Sequence, residues 1–197
     1  MADRRRWALR PIAVATLAVV SCGGSDEASG GGPSALPSAG GVVATAYVED
    51  VCGGFVDWMA EIRSLTQELG EAGTGASTVE ELKDAAVSYF VGLVAATDSL
   101  ISDVEAAGVP TVPQGAEAAQ HVLDSLADIR QAMQDSQEQV ETLATDGGPQ
   151  AFARELRAIT ADMAETLTRI GTSMADFEAP ELDAASEETA ICDEVAA

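Results

Sequence analysis

From Val43 to Phe177 the apolar side chains recur at intervals of three and four in four long runs, and no run alternates apolar with polar residues. A period near 3.6 places such side chains on one face of a helix, whereas a half-buried strand needs a period of two. The pattern therefore predicts an all-α chain. In the first run Val48, Val51, Phe55, Trp58, Ile62, Leu65 and Leu69 form one seam, predicting a helix over 43–69 that breaks at Gly70 and Gly73-Thr-Gly75. The second starts at Ser77 or Thr78, because both Ser77…Glu80 and Thr78…Glu81 fit a capping box, and it stops at Gly108 before Pro110 and Pro113. Leu82, Ala86, Tyr89, Phe90, Leu93, Leu100, Ile101 and Val104 line its buried face.

The third run, 113–145, carries Val122, Leu126, Ile129, Met133, Val140 and Leu143. The fourth, 149–177, carries Phe152, Leu156, Ile159, Met163, Leu167, Ile170, Met174 and Phe177, with Pro149 placed to open it and Pro180 to end it. Aromatic residues are only 4 % of a chain that is 47 % apolar, so the core is built mostly from Ala, Val and Leu, which suit close helix packing. Short connections between long helices favour antiparallel neighbours. The expected fold is an antiparallel four-helix bundle over residues 43–197, with an acidic tail, 181–197, that adds a short turn around Ile191.

The first forty residues read differently. Arg4, Arg5, Arg6 and Arg10 form a basic start, and Ile12–Val20 is a nine-residue apolar stretch. That is the length of a signal-peptide core and far short of the ~20 residues a membrane-spanning helix requires. Val19-Val20-Ser21-Cys22 follows and resembles the lipobox of bacterial lipoproteins. The resemblance implies removal of residues 1–21, a diacylglycerol thioether on Cys22, and a mature chain beginning at Cys22. Multiple acyl chains give lasting attachment where one is marginal. Residues 22–42 are rich in Gly, Ser and Pro and predict a flexible tether, spanning roughly 25 Å on average. The expected location is the extracytoplasmic face of the cell membrane, held by the lipid on Cys22.

Charge narrows the partners. The chain has 10 Lys+Arg against 33 Asp+Glu, a net charge of −23; losing four arginines and Asp3 with the leader takes this to −26. Such a body repels nucleic-acid phosphates, so no nucleic-acid partner is expected. It also repels an anionic bilayer, so attachment falls to the anchor rather than the domain.

With Cys22 acylated, Cys52 and Cys192 remain. One lies near the start of the first helix and the other beyond the fourth, which puts both at the same end of a four-helix bundle. On the oxidising side of a membrane they form a natural disulfide pair; two free or intermolecular thiols are the alternative.

Residues for catalysis are hard to find. The sole histidine, His121, stands four residues after Glu117, whereas bundle di-iron sites use Glu-x-x-His on two helices. The chain has no Cys-x-x-Cys-His run, phosphate loop or calcium-loop spacing, and Met59, Met133, Met163 and Met174 fall mostly on core stripes. No enzyme activity, cofactor or metal is expected. Phe55, Trp58, Tyr89 and Phe90 are candidates to line a pocket for a small molecule or lipid inside the bundle; core filling is their other reading. Tyr47, Cys52 and Trp58 on an early helix, the Gly108-Val-Pro110 break and the late Cys192 resemble small helical lipoproteins of high-GC Gram-positive bacteria, many of which lack an assigned function. The expected role is a non-enzymatic interaction or structural module of the cell envelope, with an envelope protein as partner. Small-molecule binding and weak divalent-cation binding are the alternatives.

Overall fold

The computed structural model describes residues 41–175 and 177–195. The expected leader, the expected acylation site Cys22 and all but residues 41–42 of the expected tether lie outside them. Six helices follow one another: α1 (Ala44–Gly75), α2 (Val79–Ala107), α3 (Gly115–Thr142), α4 (Pro149–Ala175), α5 (Pro180–Glu188) and α6 (Ala190–Val195). Among the described residues there is no strand; Val42 and Pro110 form an isolated bridge.

Local chemistry accounts for most helix ends. Thr78 caps α2: its Oγ1 accepts from the Glu81 amide at 3.1 Å, while Glu81 Oε2 accepts from the amides of Thr78 (3.2 Å) and Ser77 (2.6 Å). Of the two expected capping boxes, the one at Thr78 is formed. Gly108 ends α2 with φ +81° and ψ −150°, a conformation that favours glycine. α3 starts at Gly115 rather than Pro113, because the left-handed Gln114 (φ 62°) turns the chain first.

Two expectations need correction. α1 does not stop at Gly70 but continues through Gly73 to Gly75. Glycine weakens a helix entropically without blocking its hydrogen bonds, and Gln67 Nε2 donating to Glu71 Oε1 (2.8 Å) and Thr74 Oγ1 donating to the Glu71 carbonyl (2.8 Å) brace the last turns. The tail forms more than a turn: α5 opens on Pro180, with Glu181 and Asp183 in its first turn, and α6 follows after Thr189.

The four long helices run up, down, up and down. Leu65 of α1 meets Gly92 of α2, and Gly54 of α1 meets Leu100, as antiparallel partners must. The helices form a row: α1 packs on α2, α2 on α3, α3 on α4, and α5 and α6 lie on α1. α1 and α4 share no comparable contact, so α2 and α3 are inner members. That position explains the apolar character of α2, which by length and hydropathy alone is able to cross a membrane. Its buried residues Phe90, Leu93, Thr97, Leu100 and Val104 serve neighbours on both flanks.

Along α1, full burial is concentrated toward the N-terminal end. In α1 it covers Tyr47, Val48, Val51, Cys52, Gly54, Phe55 and Trp58, while Ile62, Leu65 and Leu69 are half-buried. The Trp58 indole Nε1–H donates to Thr97 Oγ1 (3.2 Å), and Thr97 donates to the Leu93 carbonyl (2.9 Å), so this buried polar chain is satisfied. At the other end Lys83 Nζ donates to the Leu143 carbonyl (2.9 Å), placing the chain's single lysine at the α3 C-terminus, where a cation is favoured.

Candidate functional site: a cleft between α3 and α4

Cys52 and Cys192 are bonded, with Cα atoms 5.2 Å apart, and the bridge fixes α6 against the start of α1. The chain arrives at the same end. The Val42 amide donates to the Val109 carbonyl (2.9 Å), and the Val42 carbonyl accepts from the Thr111 amide (2.8 Å) and from Thr111 Oγ1 (3.0 Å). Val42 thus ties the start of the described chain to the α2–α3 connection. Gly115 is needed there, because an added Cβ would lie 2.1 Å from the Pro110 carbonyl oxygen.

The four aromatic candidates fill the core. Phe55 and Phe90 are 0 % and 1 % exposed, Trp58 is 7 % exposed, and Tyr89 is half-buried at its edge. Phe55 meets Trp58 edge-on (centroids 6.0 Å apart), and Tyr89 meets Phe90 likewise (5.4 Å). None of the four lines the cleft between α3 and α4.

α3 carries two stripes. One, with Val122, Leu126, Ile129, Met133 and Val140, enters the core. Beside it runs His121, Ser125, Asp128, Ala132 and Asp135, spaced four, three, four and three residues apart and flanked by Asp124 and Gln131. With Thr166, Arg169, Ile170 and Ser173 of α4 they line an open cleft of about 520 Å³. His121 closes one end. Its ring stacks on Phe177 (centroids 4.5 Å, planes 15° apart), and its Nε2 donates to the Ser173 carbonyl (3.4 Å). The histidine thus holds the α4 C-terminus, while Glu117 is exposed. Among the described residues no three His, Cys, Asp or Glu side chains converge closely enough to hold one metal ion.

The cleft walls are polar and unequal in charge. Asp124, Asp128 and Asp135 are exposed along α3; Gln120 donates to Asp124 (2.8 Å) and Gln131 to Asp135 (2.7 Å). Opposite them Arg169 donates through Nη2 to Thr166 Oγ1 (2.9 Å). Elsewhere, Glu80 in the first turn of α2 is held below the ordinary carboxylate range, first by its own backbone amide and then by the Thr145 hydroxyl.

The cleft has one signal in the sequence, a second, polar stripe on α3 at helical spacing, which by itself matches a solvated helix face. Comparison with protein-family models, with curated proteins and with solved structures returns no match. The fold and site define a disulfide-closed, strongly acidic helical bundle with a polar cleft on its α3–α4 side.

Proposed function

We propose that this chain is a lipoprotein anchored through Cys22 at the outer face of a membrane, where its bundle acts as a non-enzymatic interaction module. The observation that carries the reading is a sequence of adjoining parts: a lipobox-like leader, a Gly/Ser/Pro tether, and a tether end bonded through Val42 to Val109 and Thr111. The disulfide secures the C-terminal helices at that same end. The tether joins one end of the bundle and leaves the far turns and the α3–α4 flank open to partners. A net charge of −26 after loss of residues 1–21 keeps the domain off anionic lipid and favours partners with a basic face.

The test is cell fractionation of wild type and Cys22→Ser. The wild type is expected in the membrane fraction and released only by detergent, with the variant in the soluble extracytoplasmic fraction. Equal partitioning of the two would refute the anchor. Crosslinking on intact cells then tests the interaction role, with a discrete adduct as the expected product.

A further inference from the structure

We infer that the outer face shared by α2 and α3 is a self-association surface, which takes a second copy of this chain in a weak two-fold dimer. The inference holds whether or not Cys22 carries lipid. It starts from Val91. Packing against α1 and α3 accounts for Phe90, Leu93, Leu100 and Val104, yet Val91 on the same helix is 47 % exposed. Among the described residues Val43, beside the chain's entry to α1, is the other large apolar residue that stands exposed. Val87 and Val94, one turn to either side of Val91, share its face and are half-buried. No charged residue falls between Ala85 and Thr97.

α3 continues this face. Leu123, Ala127, Arg130, Gln134 and Gln137 follow one another at intervals of four, three, four and three, the spacing of one helix flank. Arg130 donates through Nε to Asp98 Oδ1, which sets that flank beside α2. The stripe holds no acid: Asp124, Asp128 and Asp135 line the cleft on the α4 side. A chain with 33 acidic and 10 basic residues thus has one face whose only charges, Asp98 and Arg130, neutralise each other.

Charge selects the occupant. Two bodies of this net charge repel, and the repulsion is least where each presents no unpaired acid. A basic partner is drawn to the acid rows elsewhere and gains nothing on a neutral face. A neutral face with an apolar centre matches its own kind, and a two-fold axis lets the same patch serve both copies. With Val91 on the axis and the two α2 helices antiparallel, Val87 meets Ala95 of the second copy, and Asp84 meets Asp98. Arg130 then stands between those two carboxylates. Its Nε holds Asp98 of its own copy, and its terminal nitrogens are left for the exposed Asp84 of the other. Three valines make a small centre, so the contact belongs with weak, transient interfaces.

The test uses the whole chain with Cys22→Ser, in which Cys52 and Cys192 are bonded and no other thiol remains. Adding Val91→Cys places two thiols at the axis. Under mild oxidant the disulfide-linked homodimer should form about tenfold faster than from Ala161→Cys, an exposed position on α4. Sedimentation equilibrium without added cysteines should show a monomer–dimer equilibrium. Val91→Glu should weaken it at least about tenfold with the helical signal intact, whereas Ala161→Glu, the same added charge on α4, should change it less than about twofold. Arg130→Ala, which leaves two acids facing each other, should weaken it about tenfold. A monomer at all concentrations up to about 1 mM, with equal oxidation rates for the two cysteine variants, would overturn self-association. Equal weakening by Val91→Glu and Ala161→Glu would overturn the surface by reducing the effect to general repulsion. Binding to neutral phosphatidylcholine vesicles that Val91→Glu abolishes, with no dimer in solution, would overturn the second copy in favour of a lipid surface.

Discussion

Cys52 on α1 and Cys192 on α6 are joined across 140 residues, so nearly the whole described domain lies inside one covalent loop. Closing a loop of that length removes chain entropy from the unfolded state and is worth about 4–5 kcal/mol. Reduction, or Cys192→Ser, should lower the unfolding free energy by that order and release α5 and α6 from α1 first. Denaturant titration with and without reductant measures it. A loss below about 1 kcal/mol would mean that α6 is held by packing alone.

Trp58 is the only tryptophan after Cys22, so its fluorescence reports directly on the core it shares with Thr97. Thr97→Val leaves the indole N–H buried without an acceptor and should cost about 1–3 kcal/mol. Thr97→Ser keeps the hydroxyl, loses one methyl group, and should cost about 1 kcal/mol. Urea unfolding followed by this fluorescence separates them; equal losses would show that the hydrogen bond contributes nothing.

Two glycines should respond in opposite directions. Gly70 lies inside α1 with nothing within 4 Å of an added Cβ, so Gly70→Ala should stabilise the fold by about 0.5–1 kcal/mol. Gly115→Ala drives a methyl group into the Pro110 carbonyl and should cost about 1–3 kcal/mol. The two melting temperatures, compared with wild type, decide both.

Glu80 gives a pH dependence of known sign. Its folded value lies below the ordinary 4.5, first because of its own backbone amide and then because of Thr145. Its contribution is therefore present above pH 4.5 and is lost as pH falls through the lowered value. The stability difference between wild type and Glu80→Gln should be constant near neutrality and shrink on acidification. A difference that grows below pH 4.5 would reverse the assignment.

The long helices were legible because their stripes are long enough for a 3.6-residue period to be unambiguous, and Thr78, Gly108 and Pro149 mark boundaries by chemistry that acts locally. Gly70 misled because a glycine in an exposed, hydrogen-bonded helix is a cost and not a stop. α5 and α6 were obscured because nine and six residues are too few to display a period, and Leu182, Ala185 and Val195 gain meaning only when α1 lies against them. Pairing Cys52 with Cys192 was accessible because both follow from helix count and redox setting. The aromatic residues were readable as core or pocket, and burial places Phe55, Trp58 and Phe90 in the core. The cleft remained hidden because the stripe from His121 to Asp135 looks like a solvated face until the row order sets α4 against it. That order is a tertiary property which no local spacing encodes.

An acylated, tethered domain that engages a partner is best tested by native mass spectrometry of protein gently extracted from its own membranes. The expected species is a chain beginning at Cys22, heavier by its acyl groups, lighter by two hydrogens for the Cys52–Cys192 bond, and accompanied by a bound subunit. A chain that keeps residues 1–21, or begins elsewhere without added lipid mass, would contradict it.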